Sequence, residues 1–117
     1  MSPPPPGAGS PPEPLRGEEL AALLRSRWRA SYDLQIVQRR GRLYLQVMWA
    51  HLEQQSFPLT AEDYAERLEA LAGALNDLGA ATQVRRWLST TRDRPRLGRA
   101  LSLALEPSGG RLGEFLL

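Results

Sequence analysis

Apolar residues recur along this chain in two periods, and the switches between them outline its elements. From residue 17 to 30, Leu20, Leu23, Leu24 and Trp28 fall at i, i+3, i+4 and i+8, one face of a helix. Glu18 and Glu19 stand in its first turn, and Arg25, Arg27 and Arg29 near its end, a polarity that complements the helix dipole. Period two follows. Tyr32, Leu34 and Ile36 share one face against Asp33, Gln35 and Val37. After Arg39-Arg40-Gly41-Arg42 the alternation resumes, with Leu43, Leu45, Val47 and Trp49 against Tyr44, Gln46 and Met48. Alternation on both sides of a glycine-containing turn predicts a β-hairpin over about residues 32–49, with Gly41 supplying positive φ.

His51 to Leu59 is a connection, in which Pro58 holds Phe57 extended. Thr60 caps a second helix whose first turn carries Glu62 and Asp63. Its apolar stripe is Tyr64, Leu68, Leu71, Leu75 and Leu78, and Gly79 ends it. A third, shorter helix points Val84, Trp87 and Leu88 inward. Pro95 and Gly98 make Arg92 to Arg99 a loop. Leu101, Leu103 and Leu105 alternate with Ser102 and Ala104, a third strand over about residues 100–105. Pro107-Ser108-Gly109-Gly110 breaks it, and an apolar end, Leu112 with Phe115 to Leu117, is placed to tuck back onto the body.

The predicted order is α-β-β-α-α-β. That is an α+β fold, a small, mostly antiparallel three-stranded sheet packed with three helices. Residues 1–16 read as a disordered or polyproline II-like tail, since seven of the ten prolines stand before Leu15. Residues 17–117 read as one α+β domain, large enough to bury a core without staples.

Composition narrows the chemistry. There is no cysteine, so disulfides, thiolate metal sites and cysteine nucleophiles are excluded. One histidine, His51, excludes a histidine-rich metal site. No run of apolar residues is long enough to span a membrane, and no signal-peptide pattern opens the chain, so it reads as soluble and cytoplasmic. No phosphate-binding glycine loop sits between a strand and a helix. Neither a cofactor nor a metal is expected. The carboxylates Glu62, Asp63, Glu66 and Glu69 follow the outer face of a helix and lack the alternation of a calcium loop.

The 15 basic residues are all arginine, against 13 acids. They cluster. Arg39, Arg40 and Arg42 crowd the hairpin turn; Arg85, Arg86, Arg92, Arg94, Arg96 and Arg99 crowd the last helix and loop. Residues 51–80 carry six acids and only Arg67. The expected molecule is a charge dipole with one basic end. Arginine clustered in a turn grips carboxylate or phosphate. Nucleic-acid readers interleave exposed aromatics with such a patch, whereas Trp28, Trp49 and Trp87 all fall on apolar faces and read as core. An acidic protein partner is therefore favoured over nucleic acid, with plain solvated charge as the bland alternative. His51 beside Glu53 is the one place for a general base, with no nucleophile motif to accompany it.

Four stretches carry a resemblance. Ser31-Tyr32-Asp33-Leu34-Gln35, Gly41-Arg42-Leu43-Tyr44-Leu45-Gln46-Val47-Met48-Trp49, Leu52-Glu53-Gln54-Gln55-Ser56-Phe57-Pro58-Leu59 and Arg94-Pro95-Arg96-Leu97-Gly98-Arg99-Ala100 resemble the domain of unknown function 3067 family of cyanobacteria and plant chloroplasts. The resemblance implies a housekeeping or assembly role linked to photosynthesis and assigns no catalytic residue. Together with the patterning, it points to a non-enzymatic binding or assembly protein. The expected contact residues are Tyr44, Gln46 and Met48 on the second strand, Glu53 and Gln54 after it, and Arg94, Arg96 and Arg99 in the loop.

Overall fold

A computed structural model describes residues 13–106. Its elements are α1 (Gly17–Trp28), β1 (Tyr32–Arg39), β2 (Arg42–His51), α2 (Ala61–Asp77), α3 (Ala81–Thr90) and β3 (Leu101–Ala104). The predicted α+β fold and element order are present. The sheet is antiparallel, with β2 between β1 and β3.

Local chemistry sets the boundaries. Arg29 takes a left-handed φ of 58° and its N–H bonds to Arg25, so α1 ends at Trp28, the last residue of its apolar face, and not at residue 30 as expected. At the hairpin, Arg39 pairs with Arg42. Arg40 (φ 52°) and Gly41 (φ 77°) both have positive φ, the two-residue type I′ turn that matches strand twist. Thr60 Oγ1 accepts the N–H of Asp63 at 3.1 Å and caps α2 as expected.

Leu34, Leu45 and Val47 of one sheet face join Leu20, Leu24, Leu68, Leu75, Val84 and Leu88 of the helices in a core that excludes solvent. Val37, Tyr44 and Met48 of the other face lie outside that core. The ordered body begins before residue 17, contrary to expectation. Leu15 is buried, its N–H donates to Asn76 Oδ1 at 2.7 Å, and Asn76 Nδ2 returns a bond to Leu15 O at 2.9 Å. Gly17 then lets α1 cross α2 closely, for a Cβ there would stand 2.6 Å from Glu69 N. The breaking segment 107–110 and the apolar end at Leu112 and Phe115 to Leu117 lie outside the described residues.

Two contacts fasten α3 to α1. Arg85 clasps Glu19 with Nε to Oε2 at 2.6 Å and Nη2 to Oε1 at 2.8 Å, a two-pronged pair. Arg27 donates to the carbonyls of Leu88 and Ser89, which α3 leaves without intrahelical donors.

Candidate protein-binding surface

The sequence crowds six arginines between Arg85 and Arg99, and the fold gives them different work. Arg85 is spent on Glu19. Arg92, Arg94, Arg96 and Arg99 instead line one cavity of about 480 Å³, with Asp93, Ala100 and Leu101 completing the wall. Among the described residues, no ion pair involves any of these four. Like charges held this close raise the local potential and favour an incoming anion.

The loop that carries them is anchored from inside. Trp28 Nε1 donates to Asp93 O at 2.9 Å. Pro95 is fully buried, and Asp93 N–H bonds to Thr91 Oγ1 at 3.3 Å. Arg96 and Arg99 exchange both backbone hydrogen bonds, at 3.0 and 2.8 Å, across a two-residue tip. Gly98, at φ 76°, supplies the left-handed residue of that turn. The tip pushes Leu97 into solvent, 80% exposed.

Trp49 departs from expectation. Its alternation places it with the core, yet it is 38% exposed. Helices cover the sheet as far as Val47; beyond that, the Trp49 ring has Tyr32 and His51 beside it, each with centroids 6.4 Å away. Continued past the Val47–Leu101 pair, the register sets Trp49 level with Arg99. Trp49 also ends an aromatic series. Trp87 meets Trp28 at 6.5 Å, Trp28 meets Tyr32 at 5.8 Å, and both contacts are edge-on. The two exposed large hydrophobics of the described residues, Trp49 and Leu97, thus stand at the arginine-lined end. Trp28 is buried as expected, and Trp87 is half-buried against the core.

The other expected contact residues are placed apart from this end or are engaged within the chain. Gln35, Gln46 and Ser102 stand in one row across the sheet. Gln35 Nε2 donates to Gln46 Oε1 at 3.3 Å, and Gln46 Nε2 to Ser102 Oγ at 3.2 Å, which leaves Gln46 8% exposed. Met48 Sδ also accepts from Gln35, at 3.3 Å. Tyr44, half-buried on the same face, lies toward the hairpin turn. Glu53 Oε1 accepts the N–H of Ser31 at 2.8 Å, and Gln54 Oε1 accepts that of His51 at 3.2 Å. Both side chains therefore brace the connection after β2.

The expected single basic end becomes two. The strands set Arg39, Arg40 and Arg42 at the hairpin turn and the Arg92–Arg99 loop at the other end of β2. His51 is half-buried, with Nδ1 3.3 Å from Glu53 Oε1; that nitrogen is closed to solvent and has no hydrogen-bond partner. Burial opposes ionisation of Glu53, but hydrogen bonds from Ser31 outweigh it and hold the carboxyl below its ordinary value. Asp33 shifts the other way, raised by burial against the pull of Arg67. Tyr64 donates to Tyr32 O at 2.6 Å, and burial raises its phenol.

The fold has a solved counterpart. The solution NMR structure of the Alr2454 protein from Nostoc sp. strain PCC 7120 superposes with a TM-score of 0.79 at 43% sequence identity, covering 88% of this chain and 98% of that one. No curated protein matches the chain. A family model described as a domain of unknown function, DUF3067, matches residues 18–116. That span takes in all but the first residue of α1 and every later element through β3, and the chain belongs to the DUF3067 family.

Proposed function

We propose that this protein is a non-enzymatic binding or assembly factor that recognises an acidic segment of a protein partner through the Arg92–Arg99 end of the sheet. One observation carries the reading: four arginines without an ion pair among the described residues line a single cavity at the end where Trp49 and Leu97 are exposed. Interfaces concentrate binding energy in tryptophan and arginine at the centre of an apolar patch. The anchored loop adds pre-organisation, since little backbone freedom is left to lose on binding. Arg94, Arg96 and Arg99 are the expected contact residues that this surface retains, and Trp49, Leu97 and Arg92 join them. In this reading Gln46, Met48, Glu53 and Gln54 are engaged within the fold, and Tyr44, toward the hairpin turn, lies outside the surface.

Among the described residues no helix is long and apolar enough to cross a membrane. We place the protein in the cytoplasm and, on the strength of the family resemblance alone, in a process linked to photosynthesis. The test is capture from native lysate followed by mass spectrometry. The wild-type chain and Arg39→Glu/Arg40→Glu retain a defined acidic partner, and Arg94→Glu/Arg96→Glu releases it. Retention by the second double variant overturns the assignment of the surface.

The exposure of Trp49 beside Arg99 favours a second reading, single-stranded nucleic acid stacked on the indole with its phosphates on the arginines. It requires affinity that falls by roughly 0.7 log units per log unit of salt for each phosphate neutralised. Absence of any complex with RNA or DNA at low salt removes it.

A further inference from the structure

A groove of about 610 Å³ lies along the other side of the molecule. Leu34, Gln35 and Ile36 of β1 form one wall; Arg67, Asp77 and Leu78 stand on the α2 wall. Gln35 belongs to the sheet face outside the core and Leu34 to the face within it, so the groove follows the edge of β1. Among the described residues β1 is an edge strand, and its outward N–H and C=O groups have no ladder partner. Exposed edges of this kind invite pairing with another strand unless something blocks or covers them. The two walls run in the same direction. Arg67 Nε stands 3.4 Å from Asp33 Oδ1 at one end, and Asp77 and Leu78 line the end toward the hairpin turn.

We propose that this groove is the interface between two copies of the chain, related by a two-fold axis that passes between them, level with Ile36 of β1 and with the stretch of α2 between Ala70 and Ala74. Antiparallel pairing of the two β1 edges extends the three-stranded sheets into one of six strands and supplies partners for the outward backbone groups. The two-fold reverses α2, so Arg67 of each copy comes level with Asp77 of the other. Along the strand, pairing about Ile36 sets Asp33 opposite Arg39 of the second copy. Both charge pairs come out opposite in sign, and one symmetry operation makes each of them twice, as a closed isologous interface requires. That self-complementarity is what selects a second copy as the occupant: an unrelated apolar strand would have to bring its own charges in the right order.

Sedimentation of the full chain across about 1 μM to 1 mM, a span that covers micromolar dissociation constants, decides the matter. The expected result is a monomer–dimer equilibrium with no larger species. Asp77→Arg and Arg67→Glu each place like charges across the axis, and each is expected to weaken the dimer about tenfold or more. An equimolar mixture of the two variants is expected to restore dimerisation, because their heterodimer has opposite charges at both contacts. Arg67→Glu also faces Asp33, so circular dichroism and an unfolding midpoint establish that each variant is folded. Ala70→Arg, on an exposed position of the groove wall, gives a second block that leaves the core intact. A monomer at every concentration overturns the proposal. So does a dimer indifferent to Asp77→Arg and Ala70→Arg, or a mixture that fails to recover.

Discussion

The hairpin carries Arg39, Arg40 and Arg42 around a two-residue turn and, among the described residues, has no exposed large hydrophobe beside it. The loop at the far end of β2 carries Arg92, Arg94, Arg96 and Arg99 on a backbone pinned by a buried tryptophan, a buried proline and a pair of reciprocal hydrogen bonds. About 23 Å of strand separates them, at the usual rise per residue. The hairpin turn has the higher linear charge density, three arginines in four residues against four arginines and one aspartate in eight, yet it is the loop that gathers its arginines around a shared cavity. A basic cluster becomes a candidate binding surface when something other than charge fixes its shape and supplies an apolar anchor. At the hairpin Arg39, Arg40 and Arg42 are all exposed, and charges screened by water contribute little.

That contrast can be broken at its root by Trp28→Ala. The change removes the edge-on contacts to Tyr32 and Trp87 as well as the bond to Asp93 O, and truncation of a buried tryptophan costs about 3–5 kcal/mol. Urea unfolding measures the loss, and amide exchange is expected to rise in the 92–99 loop more than in the hairpin. Trp28→Phe sharpens the test by keeping much of the packing and deleting the hydrogen bond, at about 1 kcal/mol. Next in size is reversal of charge. Arg94→Glu/Arg96→Glu is expected to weaken binding of the captured partner about tenfold or more, whereas Arg39→Glu/Arg40→Glu changes it by about twofold or less. Titration at two salt concentrations checks both.

Smaller effects come from the turns. A Cβ added at Gly41 or at Gly98 would have no neighbouring atom within 4 Å, so alanine there meets open space and costs only the strain of positive φ, about 1 kcal/mol. Thermal unfolding should show matched losses for Gly41→Ala and Gly98→Ala, and only Gly98→Ala should also reduce binding. The least effect is expected from acid. Hydrogen bonds from Arg85 hold the Glu19 carboxyl below its ordinary value of 4.5. A lowered carboxyl contributes stability that is present above that ordinary value and lost as pH falls through the folded one. Glu53 acts with the same sign, and Asp33, raised by burial, acts against them. Glu19→Gln should lower stability at neutral pH and flatten its fall on acidification, as followed by urea midpoints from pH 7 downward.

Periodicity made the elements legible because it reports on local environment. Alternation at Leu34, Ile36, Leu45 and Val47 and the stripe at Tyr64, Leu68 and Leu75 each describe a face that must be covered, and the structure covers them. The same reasoning misplaced Trp49. Its phase in the strand is right for the core, but whether a core exists at that level depends on where the helices stop. It also missed the ordered Leu15, which no periodicity reaches and which Asn76, 61 residues away, holds in place. Gln46 read as an outward polar residue; a row of two amides and a hydroxyl across three strands makes it nearly inaccessible.

The order of helices and strands, the turn at Gly41, the cap at Thr60 and the basic character of the last loop were all fixed by residues near one another in the chain, because backbone preference and hydrophobic phase act over a few residues. Which arginines stay free, which tryptophan reaches solvent and which edge of the sheet lies open were decided only by the tertiary structure. Those properties depend on partners far apart in the sequence: Glu19 with Arg85, Trp28 with Asp93, and β1 with α2. Long-range packing assigns one role to some copies of a residue type and a different role to others, and local pattern carries no record of that choice.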